Sequence, residues 1–226
     1  MDTDFVSTLL LTGKLAFMTT LCLLIIGMWV SYVLAYSKSR LKIFFEALIC
    51  MPVVLPPTVI GYYLLVAFSP HNALGKFFKN LFDMRLAFSF FGILVASIIA
   101  GFPFMVQSLQ NGFHSLPISY RETAYTLGKS KMVTFFKVLL PNIKPYIITG
   151  VALTFAHCIG EFGIVLMIGG NIPGETRIAS IAIYDEVQIC NYSVANRYSL
   201  ILFFISFILL ILIYSINKNF TIGSKV

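Results

Sequence analysis

Charge is scarce in this sequence. Only 11% of its 226 residues are charged, against about 25% in a soluble domain, and 58% are hydrophobic. A chain this apolar cannot cover a water-facing surface with polar groups, so lipid is its expected solvent. Cysteine is sparse: Cys22, Cys50, Cys158 and Cys190 form no CxxC pair, and three of them lie inside apolar runs. They read as small core residues, which leaves no disulfide framework and no metal site. No G-x-x-x-x-G-K-[ST] run occurs, so the chain is not an ATPase by itself and not an enzyme. No cofactor is expected. The net charge of +7 comes without a basic patch interleaved with aromatics, so nucleic acid is not an expected partner. The N-terminal MDTDFVSTLL holds two acids and no basic n-region, which argues against a cleavable signal peptide.

What is abundant is long apolar sequence. A helix needs roughly 20 mostly apolar residues to cross the hydrocarbon. Five stretches qualify: Leu15 to Tyr36, Ala47 to Phe68, Leu86 to Val106, Pro145 to Ile168 and Tyr198 to Ile216. Glu161 is the one Asp, Glu, Lys or Arg within the last two of these, and the first three hold none. Backbone groups in lipid must be satisfied within the segment, and these runs do not alternate like barrel strands, so helices are expected. The predicted fold is an all-α polytopic bundle in one domain spanning 1–226. Ten basic residues fall on the side of the bundle that carries Lys38, the loop around Arg121 and the tail lysines Lys218 and Lys225, and six on the other. The positive-inside rule then places the N-terminus outside and the C-terminus in the cytoplasm. No internal repeat is visible, which argues against an inverted-repeat secondary transporter. A stand-alone channel would need charge-lined spans, and a mere anchor would leave the prolines and Glu161 in the spans without a purpose.

The segment Ser115 to Pro141, SLPISYRETAYTLGKSKMVTFFKVLLP, connects the third and fourth spans. Ser119 and Glu122 fit an S-x-x-E capping box, and Gly128 fits a helix C-terminus. A second amphipathic stretch from Lys131 to Leu140 would place Met132, Phe135, Phe136 and Leu139 on one face, with Pro141 closing it. Two helices joined at a glycine make a stiff elbow, and a short helix held at the membrane surface can enter a groove on a soluble partner.

Glu122, Ala124, Gly128, Val138, Leu140 and Pro141 match E-A-A-x3-G-x9-I-x-L-P, with Thr123 for the first Ala and Val138 for Ile. This segment resembles the EAA loop of ABC importer permeases. The resemblance implies a coupling helix that docks on an ATPase subunit. MPVVLPPTVIGYYLL, from Met51, and FAHCIGEFGIVLMIGGNIPGETRIASIAIYDEVQ, from Phe155, resemble the matching stretches of the molybdate permease (ModB) family. Related members serve tungstate, sulfate and thiosulfate.

In the first of these stretches Pro52, Pro56 and Pro57 are expected to break the helical ladder in mid-membrane, beside Thr58 and Gly61. In the second, Glu161 is an ionisable group in an apolar span, a functional candidate by default. His157 lies one turn before it and could pair with it, while Gly160 and Gly163 allow close helix contact. A carboxylate has the wrong sign to bind an oxyanion directly. Pro56, Pro57, Thr58, Gly61, His157, Glu161 and Gly163 are therefore the pathway and gating candidates. The resemblance further implies a type I importer permease fold, a homodimer around an axial pathway, two ATPase subunits, an extracytoplasmic molybdate-binding protein, and multi-pass residence in the bacterial plasma membrane.

Overall fold

A computed structural model describes residues 3–223. Lys225 lies outside the described residues. The chain forms α1 (Thr3–Tyr36), α2 (Leu41–Val54), α3 (Pro57–Phe68), α4 (Ala73–Phe82), α5 (Phe90–Ser115), α6 (Ser119–Thr126) and α7 (Lys131–Thr134). A π-turn over Phe135–Leu139 follows, then α8 (Leu140–Asn142), α9 (Lys144–Gly160), α10 (Gly163–Gly169), α11 (Ala179–Gln188) and α12 (Tyr192–Gly223).

Three helices are long and apolar enough to cross a membrane unaided: Asp4–Tyr36, Phe90–Ser115 and Tyr192–Ser215. Two bent pairs bring the number of candidate crossings up to five. In the first pair α2 and α3 meet at 108°; in the second, Lys131–Asn142 and Lys144–Gly160 meet at 75°. The expected second span, Ala47 to Phe68, is thus not one rod, and the expected fourth, Pro145 to Ile168, is interrupted between α9 and α10.

The core is built around α5. Its buried residues include Ile93, Ala96, Ala100, Met105, Leu109 and Phe113, and it packs on α1, α9, α10 and α2. Lipid offers no hydrophobic drive between helices, so close packing must hold them together, and small residues allow it. A Cβ on Gly101 of α5 would lie 2.9 Å from Leu23 of α1 and 3.3 Å from Thr154 of α9. Hydroxyls tie the same helices: Ser31 Oγ donates to the Val106 carbonyl at 3.0 Å and Ser108 Oγ to the Tyr146 carbonyl at 2.8 Å. Ser89 caps α5 by accepting from the Gly92 N–H at 3.2 Å.

At the periphery the exposed residues are apolar. On α12, Phe203, Phe204, Phe207, Ile208, Ile211 and Leu212 are all exposed, as a lipid-facing helix requires.

Candidate coupling loop and pathway

The loop after α5 leaves the bundle as α6. Its end is a Schellman motif: the Lys129 N–H reaches the Ala124 carbonyl at 3.0 Å and the Gly128 N–H reaches the Tyr125 carbonyl at 2.9 Å. Gly128 has φ +71°, the left-handed region that glycine enters without cost. The glycine read as a helix terminus from sequence therefore is one.

The start of α6 differs from the expectation. Ile118 occupies the N-cap position and no side chain caps the helix, so the Ser119–Glu122 capping box does not form. Ser119 is the first helical residue, and the Tyr120 and Arg121 N–H groups of the first turn bond to the Pro117 and Ile118 carbonyls at 3.2 and 3.1 Å instead. Glu122 is left exposed at the helix surface. The side-chain cap in this region is at Ser130, whose Oγ accepts from the Val133 N–H at 3.4 Å. A serine directly before an amphipathic run was the signal for it.

The second half of the loop also divides differently. Phe135 and Leu139 are buried, whereas Met132 and Phe136 are about half exposed, so the four do not share a face. The π-turn explains the split, because its wider spacing rotates the residues relative to an α-helix. The Leu140 N–H bonds the Phe135 carbonyl, immediately before Pro141, whose ring would collide with the turn of a regular helix. The helix then runs through Pro141 to Asn142 and bends at Ile143, so Pro141 does not close it.

Phe135 ties the loop to the spans. Its ring lies 5.2 Å from Trp29, 5.1 Å from Tyr32 and 6.0 Å from Phe113. The Arg121 guanidinium sits over the Tyr36 ring at 4.4 Å. Ala124 is buried, Val138 and Leu140 are half-buried, and Pro141 is exposed. Beyond these anchors, Ile118, Tyr120, Tyr125 and Leu127 are exposed. The loop thus presents a short helix, closed at its C-terminal end by the Schellman turn, with an uncovered apolar surface, and its base is packed on α1 and α5.

Two of the three prolines, Pro56 and Pro57, stand at one break. Pro52 lies inside α2 without ending it, and Pro57 is the first residue of α3. The break falls at Leu55–Pro56. Across the interior this break meets the second one, at Glu161–Phe162. A Cβ on Gly163 would lie 3.0 Å from Pro57 Cβ, and one on Gly61 would lie 2.8 Å from Met167 Cβ. Pro57, Gly61 and Gly163 are brought together, and α3 and α10 pack as a pair above the two breaks. Thr58 is exposed. Gly160 is also exposed, with nothing within 4 Å of its Cβ position, so it makes none of the expected close contact.

Glu161 is 6% exposed. Neither carboxylate oxygen has a hydrogen-bond partner, and the Ser97 hydroxyl on α5 is likewise buried without one. The helix break at Glu161 is stabilised through its backbone, because Ser180 Oγ donates to the Glu161 carbonyl at 2.6 Å. His157 packs against Phe104, the rings tilted by 33° with centroids 4.4 Å apart, and no ion pair with Glu161 occurs among the described residues.

At the same end as α10, the loop to α11 is tied by groups not singled out from sequence. Arg177 pairs with Asp185 at 3.0 Å, and Asn171 Nδ2 donates to both Asp185 oxygens at 3.1 and 3.0 Å. Thr176 Oγ1 accepts from the Ile172 N–H and donates to the Gly169 carbonyl. No cluster of metal-ligating side chains occurs among the described residues.

Residues 16–221 match the family described as binding-protein-dependent transport system inner membrane component, and the chain belongs to that family. It is 42% identical over 213 residues to the molybdenum transport system permease protein ModB of Azotobacter vinelandii, covering 94% of each chain. It is 34% identical over 212 residues to a probable sulfate transport system permease protein, cysT, of Chlorella vulgaris, covering 94% of this chain and 79% of that one. The fold matches a chain in the crystal structure of a bacterial alginate ABC transporter in complex with an alginate pentasaccharide-bound periplasmic protein. That match has a TM-score of 0.80 at 13% identity, over 98% of this chain and 81% of the other. The architecture is the all-α bundle of type I ABC importer permeases.

Proposed function

We propose that this chain is the membrane-spanning subunit of an ATP-driven importer for molybdate. Two copies pair around an axial pathway through an isologous interface. The N-terminus faces outwards and the C-terminus lies in the cytoplasm, with α6 projecting from the cytoplasmic end. A separate ATPase subunit receives α6 of each copy in a groove, and an extracytoplasmic binding protein delivers the oxyanion. Closure of the ATPase pair moves α6, and the motion passes through Phe135 into α1 and α5 and switches the pathway between outward- and inward-facing states.

The observation that carries the substrate is the 42% identity to the Azotobacter vinelandii protein over nearly the whole of both chains. Molybdate, tungstate and sulfate share charge and tetrahedral shape, so selectivity is where the reading is exposed. The test is uptake of labelled molybdate in cells whose own molybdate uptake is deleted, with unlabelled competitors. Competition by molybdate and tungstate well below the sulfate concentration needed supports it. Sulfate competing at the lowest concentration would make the chain a sulfate permease.

A further inference from the structure

The central helix α5 buries most of its surface, yet four of its residues are exposed: Gln107, Asn111, His114 and Ser115. All four are polar, and their spacing puts them on one face. The faces that meet lipid carry Phe, Ile and Leu instead, as on α12. A polar face within a membrane-spanning helix lines water or a polar partner. Gln107 lies about 26 Å along α5 from Phe90 at about 1.5 Å per residue, inside a hydrocarbon layer of about 30 Å.

Beside this face runs α2, which buries no residue completely. Its least exposed residues include Lys42, Glu46 and Cys50, one per turn and turned towards α5. Lys42 Nζ lies 3.4 Å from His114 Nε2, Gln110 Nε2 donates to Glu46 Oε1, and Gln107 Nε2 donates to Cys50 Sγ at 2.9 Å. The Glu46 carboxylate is held by both Gln110 and Lys42, the latter at 3.7 Å. Lys42 and Glu46 offset each other, and what remains exposed offers donors and no acid: the Gln107 and Asn111 amides and the His114 imidazole.

We propose that Gln107, Asn111 and His114 of α5, with Lys42 of α2, line the water-filled inner half of the translocation pathway and hydrogen-bond the oxyanion as it leaves. This rests on the permease reading above, and it adds the residues that touch the substrate. Gln107 is the deepest contact. Lys42, paired with Glu46, and His114 form the mouth, the last donors the oxyanion meets before the cytoplasm.

The experiment uses the complete transporter in membranes, with Cys22, Cys50, Cys158 and Cys190 replaced. Single thiols are introduced as Gln107→Cys, Asn111→Cys and, on the lipid face of α12, Ile208→Cys. The probe is a permanently charged thiosulfonate, which needs water to reach a thiol. Gln107→Cys should react readily and Ile208→Cys should not, and excess molybdate or sulfate should slow the labelling of Asn111→Cys. In a separate variant, Gln107→Leu should lower uptake by about tenfold, the loss of one hydrogen bond to a charged group, at an unchanged protein level. Gln107→Cys reacting no faster than Ile208→Cys would overturn the lining. Ready labelling that no oxyanion slows, or full uptake in Gln107→Leu, would overturn the substrate contact. If sulfate protects where molybdate does not, the pathway stands and the molybdate assignment is what fails.

Discussion

Glu161 and Phe135 mark two opposite uses of a buried residue. Both Glu161 oxygens are buried without a hydrogen bond, so removing the side chain deprives no partner of one. Glu161→Ala is therefore expected to reach the membrane at the wild-type level while molybdate uptake falls, and Glu161→Gln, which keeps the shape, should retain most uptake. Immunoblots beside uptake assays check this; normal uptake in Glu161→Ala would make the residue incidental. Phe135, in contrast, is packed among Trp29, Tyr32 and Phe113. Phe135→Ala should cost about 3–5 kcal/mol as a large-to-small core change. That would appear as a clear drop in the unfolding temperature of the purified protein, and an unchanged temperature would contradict the anchoring role.

At the scale of elements, the loop between α5 and α9 was legible where the backbone itself demands a residue. Gly128 was placed correctly because a Schellman motif needs a left-handed position. The expected capping box is absent because Ile118 takes the N-cap position without a capping side chain, and sequence spacing does not reveal where the first turn closes. The Leu55–Pro56 break was legible from its prolines, although two of the three are accommodated within or at the start of helices. The break at Glu161 was not legible: GEFG sits in a continuous apolar run, and what ends α9 there is tertiary, the Ser180 bond and the packing of Gly163 on Pro57. The polar face of α5 was missed because Gln107 to His114 falls at the end of an apolar span, where polar residues read as loop.

The Gly128 position yields a sharper prediction than the motif alone. A Cβ there meets nothing within 4 Å, so any penalty is backbone strain and not a clash. Gly128→Asn, which tolerates the left-handed region, should keep most uptake and ATPase co-purification. Gly128→Val should lose both, with strain of roughly 1–2 kcal/mol re-aiming α6. Equal activity in the two variants would remove the geometric role of the turn.

For the whole molecule, the ten-to-six division of basic residues sets the expected orientation. An impermeant thiol reagent applied from outside should label a thiol placed at Asn171 and spare one at Lys129; the reverse pattern would invert the topology. The most direct test of the central claim is transport by purified components. The chain is placed in liposomes with its ATPase and binding protein, and molybdate uptake is followed with each component omitted in turn. Uptake should require ATP and all three proteins, and should vanish with Gly128→Val. Uptake by this chain alone, or uptake indifferent to ATP, would contradict the account.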